Sequence, residues 1–168
     1  MTLLFADDTT FQVSSNNLLE LYESANLELS KAACWFEANK LTLNVSKTKY
    51  ILFRTKRMIV DFSQLKLSIG TKKVDRIGSD CKEKYFKFVG HRLDEFLSWD
   101  HHINHVQGKL SSANFAIGSA KNFLSLNHRK LLYDSLFRSH LEFGILDWGG
   151  VKQSKMERII KLQKKMCS

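Results

Sequence analysis

The stretch TLLFADDTTFQV, residues 2–13, places two apolar, β-prone runs on either side of the adjacent carboxylates Asp7 and Asp8. This pattern predicts a β-hairpin that carries the two acids at its tip. Adjacent carboxylates repel each other unless a cation lies beside them. Their oxygen atoms suit Mg²⁺, which proteins usually hold with one or two carboxylates together with substrate phosphates. An Asp-Asp pair is also common in solvated turns, so the hairpin alone leaves both interpretations open.

The composition is that of an ordinary globular protein. The 168 residues are 43% hydrophobic and 26% charged, which suits one domain or two small subdomains. No apolar run approaches the roughly 20 residues of a membrane span, and the N-terminus lacks a signal-peptide pattern. Three widely separated cysteines favour reduced thiols in an intracellular protein, with nucleus and cytoplasm left open. We expect no membrane partner.

Charge is distributed unevenly along the chain. Residues 1–50 contain 4 Lys+Arg and 6 Asp+Glu, a net charge of −2, whereas residues 51–168 contain 22 and 11, a net charge of +11. The basic part favours a polyanionic partner, because Lys and Arg release counterions from phosphates on binding. A generic solvated basic surface would have the same net charge.

Periodicity divides the chain into a mixed first part and a helical second part. Apolar spacings of three and four, and alternation of apolar with polar residues, predict these elements: a helix over 17–39, a strand over 49–54, a hairpin with arms 65–69 and 72–77, a strand over 85–90, and helices over 99–124, 127–143 and 152–166. We therefore predict an α+β fold, with one subdomain over residues 1–95 and an all-helical one over residues 96–168.

Four motifs resemble those of the reverse transcriptases of non-LTR (LINE-type) retrotransposons. FADD, residues 5–8, resembles the catalytic Tyr/Phe-x-Asp-Asp box. WFEANKLTLNVSKTK, residues 35–49, is similar to the next motif, in which a helix end and an Asn-Lys-Leu-x-Leu-Asn turn lead into a strand. KFVG, residues 87–90, resembles the primer-grip hairpin, and segments between residues 99 and 149 resemble the thumb. The four occur in the family's order and at family-like spacing.

The resemblance implies a partial polymerase palm, made of the Asp-Asp hairpin, a helix and antiparallel strands, followed by a helical thumb. It implies RNA-directed DNA synthesis with two Mg²⁺ (or Mn²⁺) ions, which stabilise the attacking primer oxygen and the leaving pyrophosphate. Asp7 would be the shared metal ligand and Asp8 its weaker companion. Lys47 would lie near the triphosphate, where a cation can neutralise or protonate the leaving group. An ordinary exposed lysine at a strand start is an equally good interpretation of Lys47.

The expected partners are an RNA template and a DNA primer. The primer-grip residues implied by the resemblance are Lys87, Phe88, Val89 and Gly90. Phe88 is equally well explained as a core residue of its strand. Candidates for duplex backbone contact are Lys121, Arg129, Lys130 and Arg138. For these four, solvated helix faces are the simpler explanation. Aromatic residues at helical spacing are expected to form the thumb core: Trp99, Tyr133, Phe143 and Trp148.

Polymerases of this family also need a palm strand upstream of the hairpin, which carries another metal-binding aspartate, and fingers that bind template and nucleotide. The chain starts one residue before the hairpin. We therefore expect both parts to be absent and the chain to be inactive alone. Two alternatives remain open: a non-catalytic nucleic-acid-binding remnant, or one half of a split polymerase that another chain completes.

Overall fold

The computed structural model describes residues 2–5 and 8–167, and for residues 3–5, 8 and 165–167 it describes the backbone alone. The elements are β1 (Thr2–Phe5), β2 (Asp8–Phe11), α1 (Leu18–Ala38), β3 (Lys49–Ile51), β4 (Ser68–Ile69), β5 (Lys72–Lys73), β6 (Asp75–Ile77), β7 (Phe86–Phe88), β8 (His91–Leu93), α2 (Asp100–Ala120), α3 (Leu126–Leu132), a π-helix (Tyr133–Arg138), α4 (Ser139–Glu142), α5 (Ile145–Trp148) and α6 (Gln153–Cys167). This mixture of helices and small sheets confirms the predicted α+β class. None of the helices in the described part has the length and hydrophobicity of a membrane-spanning segment.

The chain forms two compact units, residues 1–82 and 83–168. The hairpin made by β7 and β8 belongs to the second unit, together with all the helices from α2 onward. The assignment of residues 1–95 to a palm and residues 96–168 to a thumb stays a prediction.

Helix α1 organises the first unit. It begins after Asn17, whose side chain accepts a hydrogen bond from the Leu19 N–H at 2.9 Å, as an N-cap does. It ends at Ala38, two residues before Lys40, which has a φ of +57°, and the Leu41 N–H donates to the Phe36 carbonyl at 2.8 Å. This is the left-handed helix ending usually made by glycine. The helix therefore starts and stops within one residue of the predicted range.

One face of α1 covers the core of this unit. Tyr22 is buried with a group of apolar side chains from the later segments: Leu65, Leu67, Ile69 and Val74. Asn26 fixes the same segment to the helix, because its side chain donates to the Lys66 carbonyl at 3.1 Å and accepts from the Ser68 N–H at 3.0 Å. The side-chain amide of Asn26 thus takes the place of a strand partner.

The predicted hairpin over 65–77 is only partly correct. Strands β4 and β5 pair antiparallel around Gly70, which has a φ of +58°. The second arm then breaks at Val74, which is buried in the core and whose N–H bonds back to the Leu67 carbonyl. After this break β6 pairs with β3 in parallel, so the expectation of antiparallel strands alone is wrong. Strand β3 also ends at Ile51, before the predicted limit at residue 54.

The second unit is built on α2. Apolar residues spaced three and four apart along this helix pack against side chains from the π-helix, α5 and α6. The buried residues of this core are Ile103, Val106, Leu110, Ala113, Phe137, Trp148 and Ile159. Trp99 and Tyr133 pack against this core as expected. Phe143 does not join it and remains 50% exposed. The predicted helix over 127–143 is present as three consecutive segments, α3, the π-helix and α4.

We predict that amides of the β1–β2 hairpin exchange with solvent much faster than those of the β7–β8 hairpin. Among the strands that the structure describes, β1 and β2 pair only with each other, and an isolated hairpin is marginally stable. The β7–β8 pair has the same two-stranded form, but β8 contacts α2. Hydrogen exchange of the whole chain measures the difference. Equal protection of the two hairpins would contradict the prediction.

Candidate nucleic-acid interface

The predicted Asp-Asp hairpin is present as β1 and β2. Its register pairs Phe5 with Asp8, so the connection consists of Ala6 and Asp7. Asp7 lies outside the residues that the structure describes, and Asp8 is described by its backbone as the first residue of β2. The backbone thus agrees with a position of Asp8 at the end of the hairpin.

The donor set of this hairpin suits Mg²⁺ chemically, because carboxylates are hard oxygen ligands. Asp7 and Asp8 would hold the ion together with phosphate oxygens of a nucleotide. Within the ranges 2–5 and 8–167, no group of three or more His, Cys, Asp or Glu side chains is arranged to hold a metal ion. The metal prediction therefore rests on these two residues.

Lys47 lies in a tight turn that Asn44 organises. The Asn44 carbonyl accepts from the backbone N–H groups of Lys47 and Thr48, both at 3.1 Å, and from the Thr48 hydroxyl at 3.0 Å. The Asn44 side chain accepts from the Ser46 hydroxyl at 2.7 Å. The turn delivers the chain into β3 and leaves the Lys47 side chain exposed. The side chain is accessible to a phosphate, as both interpretations of Lys47 require.

The four primer-grip candidates form one hairpin. Phe88 pairs with His91, so Val89 and Gly90 are the two central residues of the turn. Their φ values are +44° and +82°, which is the arrangement of a type I′ turn. A β-branched residue such as valine is a true outlier at positive φ. Lys87 and Val89 are exposed, whereas Phe88 is half-buried, with its ring 5.9 Å from that of Phe86.

This turn docks closely on the segment between α4 and α5. A Cβ atom on Gly90 would lie 2.7 Å from Cζ of Phe143, and one on Gly144 would overlap the ring of His91. The His91 ring stacks on Phe143, with centroids 5.3 Å apart, and lies 5.1 Å from the ring of His102. The two glycines therefore allow an approach that no other residue permits.

The loop between β8 and α2 is organised by the buried carboxylate of Asp94. Its oxygens accept from the N–H groups of Phe96 and Ser98, at 3.0 and 3.2 Å, and from the Ser98 hydroxyl at 2.8 Å. Lys155 of α6 then donates to the Ser98 carbonyl at 2.9 Å and pairs with Asp100 at 2.5 Å. The start of α2 is thus fixed to both β8 and α6.

The four basic candidates fall into different environments. Arg138 is paired with Glu142 at 2.7 Å and lies 3.7 Å from Asp134, and the Glu142 hydrogen bond is the main cause that raises the pKa of Arg138. Arg129 is half-buried, and its Nε has no hydrogen-bond partner among the described residues. Lys121 and Lys130 are exposed. These two lysines are the members of the set that are best placed to contact phosphate.

His102 is 2% exposed and lies among aromatic rings. The Arg92 N–H donates to its Nδ1 at 3.4 Å, so the neutral ring carries its proton on Nε2, which has no hydrogen-bond partner in the described part of the chain. Burial, followed by nearby His91, His105 and Arg92, lowers the pKa of His102 from 6.5 to about 4. Burial among these rings therefore favours the neutral form.

The sequence did not indicate which residues hold the β7–β8 hairpin in place: His91, His102, Phe143 and Gly144. Phe143 and Gly144 are adjacent, but they lie far from the two histidines in the chain, and no local pattern connects them. Asp94 left a local signal, since an aspartate in a turn commonly accepts a hydrogen bond from the backbone N–H two residues on, here that of Phe96. Comparisons of the chain with family profiles, with curated proteins and with solved structures found no match.

Opposite changes at the two central residues of the hairpin turn should have opposite effects on stability. Val89→Asn should stabilise the second unit by about 1 kcal/mol, because asparagine tolerates positive φ. Gly90→Ala should destabilise it by about 2 kcal/mol or more, since the methyl group adds a clash with Phe143 to the cost of positive φ. Urea unfolding measures both changes.

Gly70→Ala is the matched control, because Gly70 has a similar positive φ but nothing within 4 Å of the added Cβ. Its cost should be the smaller one. If Gly90→Ala costs no more than Gly70→Ala, the close docking on Phe143 is wrong.

Stability should fall below neutral pH because of His102. Its pKa in the folded chain lies below the unfolded value, so no stability is lost above about pH 7, and it is lost as the pH falls from 6.5 toward 4. The expected loss from this residue is about 2 kcal/mol between pH 7 and pH 5. His102→Asn, which keeps an acceptor near the Nδ1 position, should flatten that part of the profile. The same change at exposed His128 should leave the profile unaltered, and an equal effect at both positions would refute the assignment.

Proposed function

We propose that this chain is the palm and thumb region of an RNA-directed DNA polymerase of the non-LTR retrotransposon type, and that it needs further palm and finger segments for catalysis. The observation that supports the proposal best is the local structure at the motifs. The Asp-Asp pair follows β1, the Asn44 turn leads into β3, and Lys-Phe-Val-Gly makes a two-residue hairpin before the helices. The backbone at the Asn44 turn and at the Lys-Phe-Val-Gly hairpin supports the proposal.

The proposed chemistry assigns a role to each site. Asp7 and Asp8 would hold Mg²⁺, which supplies stabilisation for the attacking and leaving oxygens of phosphoryl transfer. Lys47 would meet the triphosphate of the incoming nucleotide. The backbone of Val89 and Gly90, fixed by Phe143, would position the primer end. The primer and the RNA template are the proposed partners.

A second candidate function is nucleic-acid binding without catalysis by this chain. It is favoured by the charge of the second unit, in which residues 83–168 contain 14 Lys+Arg and 8 Asp+Glu. Electrostatic binding of this kind is independent of sequence and weakens steeply with salt. It requires neither Asp7 nor Asp8, so substitution of the two acids separates the candidates.

We predict that the purified 168-residue chain extends no primer on an RNA template with Mg²⁺ or Mn²⁺. The resemblance provides no counterpart of the strand that carries the other metal-binding aspartate, and two adjacent carboxylates do not clamp two ions. Primer extension followed on a gel tests this. Extension by the chain alone that disappears in Asp7→Ala would show that the extra palm strand is not needed.

The metal site is tested separately, by Mn²⁺ titration of the isotopically labelled chain. Amide signals of Phe5 and Thr9 should broaden first, and Asp7→Asn with Asp8→Asn should abolish the effect. Supplying the fingers and upstream palm of a non-LTR reverse transcriptase in trans should then restore extension, again dependent on Asp7. Absence of both Mn²⁺ broadening and restored extension would leave the non-catalytic candidate.

A further inference from the structure

Two phenylalanines near the junction of α2 and α3 are almost fully exposed. Phe115 is 78% exposed on α2, and Phe123 is 87% exposed in the turn that follows this helix. Single exposed apolar side chains are common on protein surfaces, so the two rings are informative only together with the charge of the residues around them. Eight positions separate the two along the chain.

The face of α2 around Phe115 is otherwise flat. The residues that share this face, opposite the buried ones, are exposed and small or polar: Asn104, Gly108, Ser112 and Ser119. Nothing lies within 4 Å of a Cβ placed on Gly108. The ring of Phe115 therefore stands on an open surface that a planar group can approach.

The charge of this region is of one sign. Between Asp100 and Asp134 the chain contains no Asp or Glu, whereas it contains Lys109, Lys121, Arg129 and Lys130. Lys121 and Lys130 are exposed, and they lie just before Phe123 and within α3. A second copy of this chain, which has a net charge of +9, would be repelled, whereas a polyanion supplies the opposite charge.

We infer that Phe115, Phe123, Lys121 and Lys130 form a platform for single-stranded nucleic acid, in which bases stack on the two rings and the lysines contact phosphates. Exposed aromatic rings combined with lysines are the elements by which proteins hold unpaired strands. A duplex does not present its base faces, so its affinity should depend on the lysines alone. The inference rests on the proposed function only in that nucleic acid is the partner, because strand binding requires no catalysis.

The test uses the full chain, a fluorescein-labelled oligo(dT) strand and a labelled duplex of the same length, with binding followed by anisotropy. Phe115→Ala combined with Phe123→Ala should weaken single-strand binding by roughly tenfold for each ring removed. Duplex binding should change by less than about twofold, because backbone contacts supply it. Tryptophan at both positions should preserve single-strand affinity.

Matched controls separate stacking from a general reduction of apolar surface. Leu131→Ala with Leu146→Ala removes side chains that are 66% and 96% exposed, and it should leave both affinities unchanged. Lys121→Ala with Lys130→Ala should weaken binding to both ligands and make it less sensitive to salt. The slope of log affinity against log salt should become shallower by about 0.7 to 0.9 for each phosphate that the variant no longer neutralises.

Two outcomes would overturn the inference. The first is a double phenylalanine variant that binds oligo(dT) as the parent does, or that loses duplex affinity equally. The second is a variant that turns a dimer into a monomer in sedimentation velocity with strand affinity unchanged, since the face would then serve a second copy. Failure of primer extension in trans, with phenylalanine-dependent strand binding intact, would reject the polymerase and keep the platform.

Discussion

The approach of the β7–β8 turn to the Phe143–Gly144 segment is the constraint on which the second unit depends. Gly90 leaves room for the ring of Phe143, and Gly144 leaves room for the ring of His91. His91 in turn lies beside His102, a buried residue of α2. The docking of these two pairs of residues thus fixes the hairpin to the helices, and the buried indole of Trp148 strengthens it by donating to the Phe143 carbonyl at 2.9 Å.

Stored strain is concentrated in the same part of the chain. Val89, Leu97 and Trp99 all have positive φ although none is glycine. Such conformations persist only where the surroundings determine them, and they cluster at binding and catalytic sites. The loop that contains Leu97 and Trp99 is held in this conformation by the hydrogen bonds to Asp94 and by the ion pair between Lys155 and Asp100.

The spacing of apolar residues predicted those elements whose limits are set by neighbouring residues in the chain. Helix α1 was placed to within one residue at each end, because its apolar spacing and its cap at Asn17 are both visible in the sequence. The segment 72–77 was predicted as one strand because apolar and polar residues alternate through Val74. In the structure its first part, β5, pairs with β4, and its second part, β6, pairs with β3. At the candidate site, the sequence indicated the primer-grip turn and the exposed Lys121 and Lys130. It gave no indication that Phe143 lies against His91, because this contact depends on how distant segments meet. The pairing of Arg138 with Glu142 was overlooked although the two residues are four apart in one predicted helix, a spacing at which opposite charges commonly pair.

The π-helix over Tyr133–Arg138 has a consequence for how the chain tolerates insertions and deletions. In this segment the Ser139 N–H bonds to the Asp134 carbonyl, five residues back, so the helix contains more residues per turn than its neighbours α3 and α4. Deletion of one residue would convert it to an ordinary helix, in which five residues turn the chain through about the same angle as six residues of a π-helix. The segments beyond it would keep their direction, so Leu141 would stay against the core and Phe143 against the hairpin that it holds. One residue deleted from the regular helix α2 would instead rotate everything beyond it by about 100°, the angle between successive residues of an α-helix. The π-helix therefore makes this part of the chain tolerant of the loss of one residue.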